Sequence, residues 1–292
     1  MLNLHHVRSL MAVIEHGNFR EAARRLRCSQ PAVSQHVRKL EEALQATLIV
    51  RDRQSCRPTR EAEAFLPYAR SLLSLAERAE AAVVRRALTI GASSNIGIYM
   101  LQPHVKAFQS NGGAGIDVDL WIGANPAVAE KLEMHEIDVA VMEWWDERPG
   151  FTATAWRREP LVAIVPPDHA WAALPAVNLD ALLDTPLIGG ESGTGTGRVL
   201  REALGDAAER LQLGTQLGST EAVKHAVAAG LGVSLVLQSA VDDEVRAGSL
   251  RALPLADMPL EKSLFVIERD GQPAGAPASR FAESLLQTAT GA

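Results

Sequence analysis

Between Ser29 and Leu40 the chain places Gln30, Ser34, Gln35 and Arg38 on the outer side of a helical repeat whose inner side is Val33, Val37 and Leu40. Amides, a hydroxyl and a guanidinium on one helix face can hydrogen-bond base edges and phosphates in a major groove. Ser29 is a natural N-cap, and Pro31 falls in the first turn, where a proline costs no hydrogen bond. Just upstream, Ala22, Ala23 and Leu26 form the apolar face of a shorter helix. Residues 19–40 therefore read as two short amphipathic helices joined by a tight turn. A helical hairpin with a solvated polar face has the same pattern, so these residues alone leave both readings open.

Charge narrows the choice. The first 60 residues hold 11 Lys/Arg against 5 Asp/Glu, a net of +6, whereas the whole chain carries −6, so the other 232 residues carry −12. A basic head on an acidic body is the distribution expected of a nucleic-acid-binding segment joined to something else. Arg24 and Arg27 read more simply as solvated face.

A second group of polar residues lies where strands give way to helices. Ser93-Ser94-Asn95 follows the run Leu88–Gly91, and its hydroxyls and amides could hold an anion at a helix start. Gly189 to Gly197 is a Gly/Thr-rich nest containing Thr194 and Thr196, and Gly218-Ser219-Thr220 opens another helix. Gly123-Ala124-Asn125 is a weaker fourth. In open α/β sheets ligands gather at such places, outside the carboxyl ends of strands. Each residue could equally be a plain N-cap. Glu143-Trp144-Trp145 is conspicuous among only five tryptophans: the indoles either wall a cleft or pack a hinge, and Glu143 and Glu191 would oppose a carboxylate ligand unless neutralised.

These groups need elements to hold them. From Thr59 to Arg86, Phe65, Ala69, Leu72, Ala76, Ala79 and Val83 recur at spacings of 4, 3, 4, 3 and 4, the seam of a coiled coil. Thr59 caps this helix, and Pro67 should distort its first turns. Such a stripe would be wet on a lone helix, so it reads as a dimerisation helix. Beyond Ala87 strands alternate with helices: Leu88–Gly91, a helix to about Ser110, Ile116–Ile122, a helix over 127–135, then Ile137–Val141, Leu161–Val165, Pro186–Gly189, Gln212–Gln216, Val233–Leu237 and Leu264–Ile267. Alternation of this kind predicts parallel or mixed sheets covered by helices. Pro166-Pro167 marks a crossing into a second lobe.

The run from Leu4 to about Arg70 resembles the N-terminal domain of LysR-type transcriptional regulators. The resemblance rests on Phe19-Arg20-Glu21-Ala22-Ala23-Arg24-Arg25-Leu26, on Ser29-Gln30-Pro31-Ala32-Val33-Ser34-Gln35, and on Arg38-Lys39-Leu40-Glu41-Glu42. Leu48-Ile49-Val50-Arg51 and Pro58-Thr59 complete it. Gln45 stands where the family usually has Gly, Ile49 where it has Phe, and Ala62 where Gly is common; these touch a helix end and core packing rather than the outer face. The resemblance implies a winged helix-turn-helix over 1–58, a linker and dimerisation helix over 59–86, and a regulatory domain over 87–292. That domain would be a two-lobed α/β fold like that of periplasmic binding proteins, with lobe I at about 87–161 and 266–292 and lobe II at about 162–265.

Carried over by residue, the resemblance implies that Gln30, Pro31, Ser34, Gln35 and Arg38 approach the major groove of double-stranded promoter DNA. Asn18 would cap the first helix of the motif and donate to phosphate, and Arg51 and Arg53 would belong to the wing. In the other half, Ser93, Ser94, Asn95, Asn125, Glu143, Thr194, Thr196 and Thr220 would surround a small-molecule effector of unknown identity. A homodimer through the linker helix, paired into a homotetramer, is expected, with RNA polymerase as a further partner.

Other function classes fit less well. The glycines of 190–197 lack the Gly-Lys-Ser/Thr ending of a phosphate loop, no suitably placed acid follows for a dinucleotide ribose, and no nucleophile-elbow motif is present. No cofactor, no metal and no enzyme activity are expected. The two cysteines, Cys28 and Cys56, have neither a disulfide framework nor metal-ligand spacing and suit a reducing compartment. The beginning lacks a signal-peptide pattern and no apolar run is long enough to span a membrane, so a cytoplasmic location is expected. A ligand-independent DNA-binding regulator is the nearest alternative. A solute-binding protein would need export and have no use for the basic head, an enzyme with an accessory basic head lacks a supporting motif, and a DNA-architectural protein would have no use for the two-lobed body.

Overall fold

A computed structural model of the chain describes residues 2–51, 56–84, 86–111, 113, 115–190, 194–256, 258–273 and 275–289. It divides into two compact units: Met1–Arg85 with Glu133–Glu136, and Arg86–Leu132 with Ile137–Ala292.

The first unit consists of α1 (Leu4–His16), α2 (Phe19–Arg25), α3 (Gln30–Leu44), the strands β1 (Ile49–Arg51) and β2 (Cys56–Pro58), and the long α4 (Arg60–Val84). Local chemistry sets each start. The Asn18 side chain accepts from Glu21 N at 2.7 Å, Ser29 accepts from Ala32 N at 3.3 Å, and Thr59 accepts from Ala62 N at 3.1 Å. The apolar faces converge as their spacing predicts. Val7, Leu10, Val13, Ala22, Val33, Val37 and Leu40 are almost wholly buried in one core. β1 and β2 pair antiparallel, and Glu41 accepts from Leu48 N (2.7 Å) and Ile49 N (3.2 Å), fastening the base of this hairpin to α3.

α4 departs from the expectation in two ways. It runs continuously across Pro67; in a helix of 25 residues one missing donor is outweighed by the turns on either side. Two positions of the expected seam are also used at home. Ala69 is fully buried and Phe65 packs against the same core, as does Ala62. The first half of α4 is a fourth helix of the head, and Tyr68 and Leu75 are the large apolar residues that α4 leaves exposed among the described residues.

The second unit is built on β3 (Arg86–Ser93), α5 (Ser94–Tyr99), α6 (Leu101–Asn111), β4 (Ile116–Gly123), α7 (Asn125–Glu133), β5 (Val139–Met142) and β6 (Phe151–Val165). There follow α8 (Leu179–Leu183), β7 (Leu187–Gly189), α9 (Thr196–Leu204), β8 (Leu213–Gln216), α10 (Thr220–Ala228) and β9 (Ser234–Leu237). The chain ends with α11 (Asp242–Ala247), β10 (Arg251–Leu253), β11 (Glu261–Arg269) and α12 (Pro277–Ala289). β3 lies parallel between β4 and β5, and β11 runs antiparallel between β5 and β6, so the sheet is mixed.

The change of pairing partners falls ahead of Pro166-Pro167, next to the boundary near 162 that the resemblance implies. It occurs inside β6, a single strand of 15 residues. Phe151–Pro160 pairs with β11, whereas Leu161–Ile164 pairs with β9 and Ala163–Val165 with β10. Pro166 only ends the strand, because it cannot donate to a ladder. β11 brings the chain back, with a register shift between Leu264 and Phe265. The first half of β6 and all of β10 escape the sequence pattern: Thr152–Ala155 are exposed and carry no alternation, and β10 is three residues long. The expected helix to Ser110 is two helices, α5 and α6, broken at Met100.

Candidate functional site

Two places gather the residues that sequence singles out. The first is the outer face of α3. Gln30, Pro31, Gln35 and Arg38 are exposed and Ser34 is half-buried, above the buried Val33, Val37 and Leu40. Arg38 forms an exposed pair with Glu42 at 3.0 Å, which costs little to exchange for another anion. Asn18 caps α2 and also donates from Nδ2 to His16 O at 3.2 Å. Arg24 and Arg25 meet Glu21 at 2.6 and 3.4 Å; the hydrogen bond from Arg24 is the main cause holding the Glu21 carboxyl below its ordinary range. Arg51 belongs to β1. Arg53 lies outside the described residues. The seating of α3 on α1 has a contribution that spacing did not reveal: His36 Nδ1 lies 2.8 Å from Ser9 Oγ, and its ring stacks on His6 at 5.0 Å.

The second place is a cavity of about 480 Å³ in the second unit. Asn95, Thr194, Thr196 and Thr220 all line it, from three separate stretches of chain, together with Trp144. A buried polar relay joins them. Thr220 Oγ1 donates to Asn95 Oδ1 (2.7 Å), and Asn95 Nδ2 donates to Glu143 Oε1 (3.0 Å). The other carboxylate oxygen, Glu143 Oε2, accepts from Lys262 Nζ at 2.6 Å, and Lys262 also donates to Thr194 O (2.9 Å) and Thr196 Oγ1 (3.0 Å). Glu143 is 1% and Lys262 2% exposed, so this pair is out of water and survives only because both partners are hydrogen-bonded on several sides.

The relay changes the meaning of several sequence signals. Glu143 does not reach the cavity as an opposing charge, because Lys262 neutralises it from below. Asn125 stands outside the cavity lining and braces the turn beneath it: its Oδ1 accepts from Glu143 N and its Nδ2 donates to Trp144 O, both at 3.0 Å. Ser93 and Ser94 also stand outside the lining; Ser93 is 1% exposed and its hydroxyl has no hydrogen-bond partner. Ser219, not Thr220, caps α10, accepting from Ala222 N at 3.1 Å, which leaves Thr220 for Asn95. The two tryptophans divide the two readings between them. Trp144 walls the cavity, whereas Trp145 is buried with Val128, Leu132 and Met142, its ring edge-on to Phe151 at 5.7 Å. Glu191 lies outside the described residues.

Gly195 sets how closely the nest approaches this wall. Its φ is +78°, and a Cβ there would sit 2.6 Å from Trp144 Cδ1, so the position demands glycine on both counts.

A second contact ties α5 to α10. Tyr99 Oη donates to Glu221 Oε1 at 2.7 Å, and Lys224 Nζ reaches Glu221 (2.7 Å), Glu244 (2.8 Å) and Ala240 O (3.0 Å). Burial, with the Glu221 carboxylate next, pushes the Tyr99 phenol up. Burial alone would lower Lys224, but its two carboxylate partners outweigh this and hold it above its ordinary value.

Sequence reasoning missed Lys262 of the relay and Arg198 and Arg201 of the cavity lining. A signal for Lys262 existed: it shares the inward face of β11 with Leu264 and Val266, where a lysine needs a buried partner. Nothing comparable marked the arginines of α9. The assembled donors suit reversible binding, and the described residues contain no group of three or more side chains placed to hold a metal. No helix among them is long and apolar enough to cross a membrane.

Comparison with known proteins brings both places under one heading. The family model of the bacterial regulatory helix-turn-helix protein, lysR family, matches residues 4–63, and that of the LysR substrate binding domain matches residues 81–290. The putative HTH-type transcriptional regulator protein PtxE of Stutzerimonas stutzeri is 47% identical over 196 residues, 67% of this chain and 100% of that protein. Among solved structures, full-length CbnR complexed with its target DNA superposes with a TM-score of 0.75 at 21% identity, covering 99% of this chain and 100% of that one. The effector binding domain of QuiR in complex with shikimate gives 0.63 at 14% identity, covering 70% and 98%.

Proposed function

The chain belongs to the LysR family of transcriptional regulators, and from that premise we propose how its two units divide the work of a DNA-binding regulator under small-molecule control. The head reads a promoter through Gln30, Ser34, Gln35 and Arg38 on α3, with Pro31 and Asn18 at the helix starts and Arg51 and Arg53 of the wing on the backbone. Exposed amide and guanidinium groups on a helix whose other face is fully buried support this reading.

The second unit takes the effector in the cavity between its lobes. The observation that carries this is the relay Thr220–Asn95–Glu143–Lys262–Thr196, which strings groups from both lobes along one hydrogen-bonded path beside the cavity. A ligand touching Asn95, Thr194, Thr196 or Thr220 therefore acts on contacts that hold one lobe against the other. Asn125 and Glu143 act from behind as braces, and Ser93 and Ser94 at the start of α5 join the site in a different closure of the lobes. Effector binding biases lobe closure and thereby the spacing of the DNA-reading heads, which requires different affinities for the two arrangements.

Homodimerisation runs along α4. Tyr68 is 70% and Leu75 48% exposed, and with Leu72 and Ala79 they form a stripe at spacings of 4, 3 and 4, one that the head does not use. Two heads joined this way meet successive major grooves roughly 34 Å apart. Pairing of dimers into a tetramer, contact with RNA polymerase, a cytoplasmic location beside the DNA, and the lack of any enzyme activity or cofactor complete the reading. Footprinting of the promoter upstream of the chain's own gene, with and without a ligand that raises the melting temperature of the protein, tests it. The footprint should change length or pattern on saturation; a ligand bound in the cavity that leaves footprint, affinity and transcription untouched overturns the coupling.

A further inference from the structure

Resting on the reading of this cavity as the effector site, we infer that the effector is a small organic oxyanion, its carboxylate or phosphoryl group held by Arg198 and Arg201 and its body laid against Trp144. The charges around the cavity carry the inference. Among the described residues that line it, Arg198 and Arg201 are the only charged ones, and no carboxylate joins them. Glu143, the acid just beneath, is cancelled by Lys262 at 2.6 Å. The described lining of the cavity is thus basic inside a chain of net charge −6.

Neither arginine makes a hydrogen-bonded ion pair within the described residues, although Glu202 and Asp146 are carboxylates near Arg198. The Nε of Arg198 is buried without a hydrogen-bond partner, its nearest carboxylate being Glu202 at 3.6 Å. Arg201 pairs with no carboxylate among the described residues. The neutral groups are in the opposite condition. Thr220 Oγ1 is spent on Asn95, and Thr196 Oγ1 is held by Lys262. An uncharged polar ligand meets hydroxyls that each already serve the relay in one direction, whereas an oxyanion also finds two guanidinium groups. A buried guanidinium N–H without an acceptor is costly, and an anionic oxygen removes that cost.

Two further features agree. α9 begins at Gly195, which offers no side-chain cap, so the positive end of that helix adds to the two arginines it carries. The Arg198 guanidinium lies over the Trp144 ring at 5.2 Å, beside an apolar wall. At about 480 Å³ the space suits a metabolite rather than a bare inorganic ion.

The test is a titration of the full-length protein, at constant ionic strength, with benzoate, shikimate, citrate, phosphoglycolate, phosphoenolpyruvate and inorganic phosphate, read by tryptophan fluorescence and thermal shift. The methyl esters or amides of benzoate and shikimate, the trimethyl ester of citrate, and phosphoglycolate and phosphoenolpyruvate esterified at both carboxyl and phosphoryl groups serve as the neutral counterparts. The expected result is that at least one organic acid binds, its neutral counterpart binds at least tenfold more weakly, and Arg198→Gln with Arg201→Gln weakens the acid at least tenfold. Neutral counterparts that bind as well as the acids, indifference to the arginine substitutions, or silence of every organic acid would each overturn the oxyanion inference. The cavity reading has its own check in Gly197→Leu, which adds a side chain at the cavity wall where a Cβ meets only Arg201 Nη1 at 3.4 Å. Binding abolished by Gly197→Leu yet indifferent to the arginine pair sinks the oxyanion alone; binding that survives Gly197→Leu sinks the cavity as the site.

Discussion

The two units arrange their candidate functional side chains in opposite ways. On α3 of the head, Gln30, Gln35 and Arg38 stand in solvent, each independent of the next, over a core that would pack equally well without them. In the second unit, Asn95, Glu143, Lys262, Thr196 and Thr220 are links of one chain of hydrogen bonds, and the charged pair at its centre is almost wholly buried. The lesson is that function and stability are separable in the head and fused around the cavity. DNA reading needs side chains that leave water only when the partner arrives. A ligand-controlled hinge needs groups whose pairing already holds the lobes.

The largest effect should come from Lys262→Met. Removing the cation strands a buried carboxylate, which typically costs about 3–5 kcal/mol; the unfolding midpoint of the second unit in urea should fall accordingly, and adding Glu143→Gln should restore most of it. A cost below about 1 kcal/mol would erase the contrast between the units. Gly195→Ala comes next. The left-handed φ alone costs about 1–2 kcal/mol, and the Cβ must also push Trp144 away, so ligand binding should fall with stability. Loss of neither would mean that the nest is not held against the indole.

In the head the opposite dissociation is expected. Gln30→Ala should cost about 1–3 kcal/mol of discrimination between operator and random DNA with stability changed by no more than about 0.5 kcal/mol. Arg53→Ala should instead weaken all DNA alike and flatten the salt dependence. Equal loss on both DNAs for Gln30→Ala would remove it from base reading. Gln45→Gly tests the head's stability without touching the reading face. Gln45 ends α3 at φ +52°, where the family usually carries glycine, and relief of that strain should add about 1 kcal/mol.

The smallest effect concerns pH. Hydrogen bonds from Lys224 and Tyr99 outweigh burial and hold Glu221 below its ordinary 4.5. A depressed carboxylate stabilises the fold above that value and loses its contribution as pH falls through the lower, folded one. The melting temperature of the wild type should therefore drop more steeply below pH 4.5 than that of Glu221→Gln. Parallel curves would show that the α5–α10 contact adds nothing to lobe closure.

Legibility followed the range of the interactions. The head could be read almost residue by residue because its determinants are local: Asn18, Ser29 and Thr59 cap the next turn, and Val33, Val37 and Leu40 are one helix's own stripe. Where a signal was local in form but its use was not, the reading went astray. Phe65 and Ala69 have coiled-coil spacing, yet spacing cannot say whether the partner is another chain or the same head. Pro166-Pro167 is a valid stop signal that ends β6, but no local pattern marks where the strand changes its pairing partner after Pro160; only the family resemblance put a boundary near there.

By itself the sequence determined the class of the protein, the helices of the head and their caps, most strands of the second unit, the outward face of α3, and the short Ser, Thr and Asn clusters at strand ends. Only the tertiary structure decided which of those clusters meet. Thr220 and Asn95 are 125 residues apart, and Lys262 and Glu143 119. Periodicity carries information over a few turns of helix or one strand, whereas the partner of a buried charge is chosen by how the lobes pack. That packing turned Glu143 from an apparent repellent of anions into the anchor of Lys262, and left Arg198 and Arg201 as the charged groups among the described residues of the cavity lining.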